Sequence, residues 1–387
     1  MKKIVILGAT GSIGTNTLDI ISRFPDQFQV VGLTAKSSDA RLEEIINTFH
    51  PKVVSLQNEK SAASLASRLN DSTVEIMAGE EGAVEVARFP EADLVISGIV
   101  GAAGLFPTLS AIRAGKTVAL ANKETMVMAG EIVQREAQAH KVSILPIDSE
   151  HSAIFQVLSG ERHDDIKRII LTASGGPLLG YSEQMKQKVT PEVALAHPNW
   201  KMGPKISIDS ATMMNKGLEI IEARWLFDLP PEKIDVVIHP QSIVHSLVEF
   251  VDRSVIAQMG LPDMRVPISY VLHYPGRSPL SLPSLDLAKI GSLTFEAPDM
   301  KGFPLLSAAY DALSGGGTLP SVLNAANEEA VNAFLDEKIA FIEIHKVVRE
   351  TLESHTPKPA KTLEDVLAAD QWARVEGQKW IKRYATC

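Results

Sequence analysis

With 387 residues, 45% hydrophobic and 22% charged, the chain is too long for one ordinary core and long enough for two or three globular domains. A formal net charge of −9 without any block of lysine and arginine excludes a general nucleic-acid binder. It does not exclude an anionic ligand, because a local cluster of donors can hold a phosphate inside an acidic protein.

The opening MKKIVILGATG carries too few apolar residues before Gly8 for a secretory leader, and no later stretch approaches a membrane span, so a cytoplasmic protein is expected. KIVILGA reads instead as a buried strand. It runs into GATGSIG, with Gly8, Gly11 and Gly14 ahead of a helix-like SIGTNTLDIIS. Glycines allow a tight turn, and the helix start offers free N–H groups to a diphosphate. The spacing alone would also suit a tight turn with no ligand. The second strand, FQVVGLTA, continues into Lys36-Ser37-Ser38 with no acid before Asp39. A cation and hydroxyls suit the 2′-phosphate of NADP better than the bare ribose of NAD, although Lys36 would also be at home in a solvated loop. The runs KVVSL, VEIMA, ADLVISGIV, KTVALAN and KVSILPI then alternate with helical patterns at DARLEEIINTF, EKSAASLASRLN, FPTLSAIRAG and MAGEIVQREAQAH. Such repetition predicts a parallel sheet covered on both faces over residues 1–147.

At IDSEHSAIF the texture changes. If the backbone is still extended, Asp148 and Glu150 point to one side and share a hard cation such as Mg²⁺ or Mn²⁺. Equally, Asp148 or Ser149 caps a helix beginning at Glu150. Residues 148–275 carry longer polar loops around IKRIILTASGG and IDVVIHPQSIVHSLVEF, which suggests a second α/β domain with a more open sheet. TASGGP sets Ser174, Gly175 and Gly176 after a strand, where backbone N–H groups can bind an anion. HPNWKMGPK mixes Trp200 and Met202 with glycine and proline, as a closing lid would. In the helix that follows, Met214, Leu218, Ile221 and Leu226 form an apolar stripe. Asn215, Glu219 and Glu222 fall on another face beside Lys216. Glu219 offers a third carboxylate, and Ser210, Asn215 and Lys216 offer phosphate donors; the competing reading is a solvated helix face. IHPQSIVHS adds His239, Ser242 and His245, and a lone histidine is more often structural than catalytic. The Pro- and Ser-rich YPGRSPLSLPSLDL reads as a connector within 276–302, and four helical patterns fill 303–387. The only cysteine, Cys387, excludes an intrachain disulfide and fits a reducing compartment.

Taken in order, GATGSIG, ANKE, IDSEHSAIFQ, TASGGP, HPNWKMGPKISIDSATMMNKGLE and IHPQSIVHS span essentially the whole chain and resemble the 1-deoxy-D-xylulose 5-phosphate reductoisomerase family. The resemblance implies an α/β protein with an N-terminal Rossmann-like parallel sheet, a second α/β catalytic domain with a lid loop, and a C-terminal helical domain. It implies NADPH and Mg²⁺ or Mn²⁺, with Co²⁺ as a further candidate, acting on a phosphorylated sugar in a homodimer that binds neither nucleic acid nor membrane. Asp148, Glu150 and Glu219 would ligate the metal. Ser149, Ser174, Ser210, Asn215 and Lys216 would bind substrate, and Lys123, Glu150, His197 and His245 would be catalytic. Thr10, Gly11, Ser12, Ile13, Lys36, Asn122, Glu124 and Gly203 would serve NADPH, with Trp200 and Met202 in the lid. The sequence departs from the family at AKSS, where asparagine is usual. An aldehyde dehydrogenase of the aspartate-semialdehyde type is excluded, since no internal cysteine is present to form a thioester. A metal-independent dehydrogenase of the homoserine-dehydrogenase type and an NADP-sensing binding protein remain as alternatives.

Overall fold

The seven apolar runs of the first third form seven strands in a computed structural model that describes residues 1–69, 73–200 and 202–385; Lys201 and Cys387 lie outside the described residues. The strands are β1 (Lys2–Leu7), β2 (Phe28–Ala35), β3 (Val53–Leu56), β4 (Glu75–Ala78), β5 (Leu94–Ser97), β6 (Thr117–Leu120) and β7 (Ile144–Pro146). Between them run α1 (Ser12–Arg23), α2 (Asp39–Phe49), α3 (Glu59–Arg68), α4 (Gly79–Ala87), α5 (Leu105–Arg113) and α6 (Lys123–His140). Helix α4, GEEGAVEVA, was not expected. Its two glycines argue against a helix, but Gly82 has no room for a Cβ against Met77 and Ser55, so close packing decides. The amphipathic helices bury one stripe each, as α2 does with Leu42, Ile45 and Ile46.

All seven strands are parallel in the order β4-β3-β2-β1-β5-β6-β7. The sheet grows one way from β1 to β4 and the other way from β5 to β7. The turns after β1 and β5 therefore diverge at its carboxyl edge, which is where open α/β sheets bind ligands.

The chain then forms α7 (Ser149–Val157), β8 (Ile166–Ala173), α8 (Glu183–Lys186), α9 (Pro191–Leu195), α10 (Pro204–Ala211), α11 (Met214–Leu226), β9 (Ile234–Ile238), β10 (Val244–Phe250) and β11 (Val255–Met259). These strands make a second sheet, β11-β10-β8-β9, in which only β8 and β9 run parallel. After α12 (Arg265–His273) and the short α13 (Leu287–Ile290) come α14 (Pro304–Gly315), α15 (Leu319–Leu335), α16 (Glu343–Glu353) and α17 (Leu363–Tyr384).

Two compact units result: residues 1–125, 133–149 and 264–281 form one, and 126–132, 150–263 and 282–387 the other. The contiguous division at 147, 275 and 302 read from the sequence differs from these units for three physical reasons. Helix α12 packs on α1 in the first unit. The middle of α6, kinked at Ala129, seats Gly130 against the Trp225 ring of α11 in the second. The C-terminal helices share one hydrophobic core with the second sheet, from Ile169 and Leu171 through Leu218 and Ile221 to Leu306, Phe334 and Val348.

Candidate active site

In the first unit the carboxyl edge of the sheet collects the expected nucleotide residues. Helix α1 starts at Ser12 with no side-chain cap, and Gly11 and Ser12 are exposed, so the helix start is open to a ligand. Gly14 is buried against the turn: a Cβ there would lie within 3.0 Å of Ala9 Cα and Gly8 O, so only glycine lets α1 approach the strand this closely. Thr34 of β2 fixes the turn by accepting from Gly8 N at 2.9 Å through its hydroxyl and from Ala9 N at 2.7 Å through its carbonyl. Lys36 follows β2 and is exposed.

Two more turns of that edge carry charge. Asn122 caps α6: its Oδ1 accepts from Thr125 N at 3.2 Å, and its Nδ2 donates to Gly101 O at 3.0 Å and Glu124 Oε2 at 2.9 Å. At 2% exposure its amide is committed to the fold, and it serves by holding Lys123 and Glu124 in place. Lys123, also 2% exposed, bonds the Asp148 carboxylate that follows β7, and Asp148 Oδ1 accepts from Ser149 N at 3.1 Å. The helix of IDSEHSAIF begins at Ser149, so Glu150 lies in its first turn and not on extended backbone.

In the second unit Glu150 meets α11. Lys216 Nζ donates to Glu150 Oε1 at 2.8 Å and also to Glu219, while Asn215 Nδ2 donates to Glu219 Oε1 at 2.5 Å. Glu219 and Lys216 are 0% and 3% exposed, so this face of α11 is buried charge and not a solvated surface. Burial works against the Lys216 ammonium, but the charges and hydrogen bonds of Glu150 and Glu219 outweigh it and raise its pKa above the ordinary lysine value. One carboxylate oxygen each of Glu150 and Glu219 lies within 4.8 Å of the other. Two carboxylates balanced by one ammonium leave a negative site of hard oxygen donors, which fits a divalent cation such as Mg²⁺ or Mn²⁺.

Behind this pair sits His151, fully buried, with Nε2 2.9 Å from Glu219 O and Nδ1 3.2 Å from Glu222 Oε2. Both neighbours are acceptors, so the ring supports the α11 backbone at Glu219. The sequence named His151 and Glu222 without linking them, because residues 71 apart in the chain give no local sign of a pair.

Three loops meet at one end of the second sheet. Ala173 pairs with Ile238, so the loops after β8 and β9 leave side by side, and Thr172 Oγ1 donates to Val244 O and His245 O at 2.8 and 2.7 Å. Gly176, at φ +70°, lies so close to Ser210 O that a Cβ would fall within 3.0 Å of it, which brings the Ser174 loop onto the end of α10. His197 Nδ1 accepts from Asn199 N at 3.2 Å and Trp200 N at 3.0 Å, so its Nε2 carries the proton and donates to Ser174 Oγ at 3.0 Å. Ser174 Oγ also accepts from Gly176 N at 3.1 Å, leaving its own proton to donate to an anion. Burial lowers the His197 pKa, consistent with this neutral tautomer.

His245 is 8% exposed, with the Trp200 ring 6.4 Å away. Burial lowers its pKa, and Glu150 partly offsets that. Its neighbour His239 is structural: Nε2 accepts from Ile243 N and Val244 N at 3.1 Å, which leaves Nδ1 to donate to Thr294 O at 2.9 Å. Asn199, which sequence reasoning missed, ties the lid segment to the β9–β10 loop through Pro240 O at 2.7 Å and Ser242 Oγ at 3.1 Å. Met202 is half-buried, and Gly203, exposed at the start of α10, has nothing within 4 Å of a would-be Cβ.

Comparison with known proteins follows this geometry. A family model described as 1-deoxy-D-xylulose 5-phosphate reductoisomerase matches residues 4–130, and two models of that family's C-terminal domains match 144–227 and 259–376. The chain is 54% identical over 383 residues to the enzyme so named from Chlorobium phaeobacteroides, covering 99% of this chain and 100% of the relative. It is 54% identical over 381 residues to that of Chlorobaculum tepidum, covering 98% and 100%. Among solved structures it resembles the Zymomonas mobilis reductoisomerase in complex with NADPH, at TM-score 0.91 and 46% identity over 98% of both chains. It also resembles a reductoisomerase bound to NADPH, fosmidomycin and magnesium, at TM-score 0.93 and 43% identity over 99% of this chain and 98% of that one.

Proposed function

The chain belongs to the 1-deoxy-D-xylulose 5-phosphate reductoisomerase family, and from that premise we propose how its residues divide the work. The protein is an NADPH-dependent oxidoreductase that, with a divalent metal, rearranges and reduces 1-deoxy-D-xylulose 5-phosphate to 2-C-methyl-D-erythritol 4-phosphate in isoprenoid biosynthesis. A metal-independent dehydrogenase of the homoserine-dehydrogenase type and an NADP sensor are not favoured.

The observation that carries the reading is the buried charge cluster on α11. Glu150 and Glu219 hold the metal, with Asp148, two residues before Glu150, as the third carboxylate; Asn215 and Lys216 fix the orientation of Glu219. When bound, the cation polarises neighbouring substrate oxygens and stabilises the negative charge that develops as a C–C bond breaks and re-forms. Ser174, Ser210, Asn215 and Lys216 anchor the phosphate, the part of the substrate that does not react, and Ser149 contacts the sugar. That remote binding energy is then available to order the loop of Trp200 and Met202. Lys123 and His245 orient the sugar, and His197 holds Ser174 ready to donate. Closure of that loop around the reacting carbons keeps water out.

NADPH, which supplies the hydride, takes the open start of α1 at Thr10, Gly11, Ser12 and Ile13, with Lys36 facing the 2′-phosphate. Asn122 and Glu124 shape the neighbouring turn, and Gly203 is a further backbone contact. The exposed edge strand β11, with Val255 and Ile256 50% and 42% exposed, supports a homodimer formed there. No helix among the described residues is long and apolar enough to cross a membrane, and a single cysteine in the chain supports a cytoplasmic protein.

The test follows NADPH absorbance on addition of 1-deoxy-D-xylulose 5-phosphate, with Mg²⁺ or with EDTA. Oxidation that requires both substrate and metal is expected. Oxidation by other carbonyl compounds, indifferent to EDTA, would favour a plain dehydrogenase.

A further inference from the structure

Helix α10 links the lid loop to the phosphate donors: it begins at Pro204, directly after Gly203, and carries Ser210 next to its last residue, Ala211. At eight residues it is too short to be stable alone, so tertiary contacts must set where Ser210 stands. One of those contacts is a buried ionic tether that plays no part in the roles assigned so far. Asp209 is 0% exposed, and its Oδ2 lies 2.8 Å from Lys205 Nζ, one turn earlier on the same helix. Its Oδ1 accepts from Asn327 Nδ2 at 2.8 Å, and Asn327, on α15, is itself 0% exposed.

Burying a carboxylate in this way costs solvation, and an apolar side chain would fill the space without that cost. What the carboxylate adds is direction. Apolar packing tolerates small rotations of a helix, whereas the bond from the Asn327 amide to Oδ1 ties α10 to α15, and the ion pair of Oδ2 with Lys205 on the same helix holds the carboxylate in that orientation. Ser210 is the next residue, and its carbonyl already touches the Gly176 backbone. A small turn of α10 would therefore shift Ser210 against the Ser174 loop and move the end of the lid segment with it.

We propose that Asp209, held between Lys205 and Asn327, is a positioning residue that sets the geometry of the phosphate site by locking α10 onto α15. The inference rests on the assignment of Ser174, Ser210, Asn215 and Lys216 to the phosphate, so the experiment separates the two. In the full-length holoenzyme, Asp209→Asn keeps an acceptor for Asn327 but removes the charge facing Lys205. It is expected to raise KM for the substrate about 10-fold and to weaken competition by inorganic phosphate in parallel, with kcat and the Kd for NADPH within about 2-fold, as for the loss of uniform binding. Lys205→Met removes the same pair from the more exposed side and is expected to give the same split, which covers the case in which Asp209→Asn does not fold. Asn327→Leu removes the amide that binds Asp209 across the two helices and should raise the KM in the same way.

Ser210→Ala serves as the control. If it leaves phosphate competition unchanged, the phosphate assignment fails. If it weakens competition while Asp209→Asn and Lys205→Met lower only the melting temperature, the assignment stands and the positioning role is overturned. Equal losses in KM for substrate and for NADPH would likewise overturn it, as they would mark general destabilisation.

Discussion

At the nucleotide edge of the first unit the groups on offer are backbone N–H groups and short side chains, with Gly11 and Ser12 exposed to solvent. In the second unit the working groups are ionised side chains withdrawn from water, with Glu219 at 0% and Lys216 at 3% exposure. The first arrangement depends on sterics: glycines let the backbone approach, and the uncapped start of a helix offers its free N–H groups to a ligand. The second depends on charge balance, since each buried ion is tolerable only while its partners remain. A one-atom change should therefore disable the second region and barely register in the first, whereas a single added methyl should disable either one locally.

The sharpest break of that comparison is Glu219→Gln, which keeps the shape of α11 and removes one charge. Losing a carboxylate from the proposed metal site is expected to cost several kcal/mol of transition-state stabilisation, about 1,000-fold or more in kcat/KM. NADPH affinity, followed by fluorescence titration, should stay within about 2-fold, because the open end of α1 is untouched. Parallel loss of NADPH binding would mean that the charge cluster supports the fold as a whole, and the contrast between the regions would collapse.

Adding a methyl tests the steric side of the contrast with a matched pair. Gly14→Ala places a Cβ within 3.0 Å of Ala9 Cα and Gly8 O, and Gly176→Ala does the same against Ser210 O, at a φ of +70°. Strain of this kind is worth about 1–3 kcal/mol, or roughly 10- to 100-fold in the affinity of the ligand concerned. The first variant should weaken NADPH and leave Mn²⁺ binding, read by its paramagnetic resonance signal, unchanged. The second should raise the substrate KM and leave NADPH unchanged. If either substitution weakens both ligands, the two regions are not separable.

The same contrast explains what the sequence made visible. The parallel sheet and the glycine turn were legible because their signals are local: apolar runs of strand length, a fixed glycine spacing, and helix patterns between them. On α11 the spacing of Asn215, Glu219 and Glu222 was visible too, but not whether that face met water or the interior. Burial came from the shared core of Leu218, Ile221 and Leu306, which no local pattern encodes. His239 and His245 stand six residues apart, each just after a β-branched residue, Ile238 and Val244. One accepts two backbone N–H groups and is structural, while the other lies beneath Trp200. Helix α4 escaped notice because packing at Gly82 outweighed its poor helix propensity.

The smallest expected effect is in the acid response, and it follows from where each unit keeps its titrating groups. Burial, reinforced by Arg349, Lys346 and Lys186, holds the pKa of His345 down from 6.5 to about 4. The folded second unit thus resists a proton that the unfolded chain accepts. Stability is full above about pH 6.5 and falls as the pH drops toward about 4, and burial lowers His197 and His245 in the same direction. In the first unit the hydrogen bonds of Lys3 and Lys52 hold Glu91 down from 4.5 to about 2, so its contribution is present above 4.5 and is lost only as the pH falls from there toward 2. All four tryptophans, Trp200, Trp225, Trp372 and Trp380, belong to the second unit, so their emission reports on that unit alone. It should begin to change between about pH 6.5 and 4, ahead of the first unit. Because the His345 ring is partly exposed, His345→Gln should recover only about 2–4 °C of melting temperature at the acid end of that window, the size of ~1 kcal/mol in a unit this large. Tryptophan emission that stays constant down to pH 4.5 would show that the buried histidines do not set the acid limit, and that the two units differ in ligand chemistry but not in their response to protons.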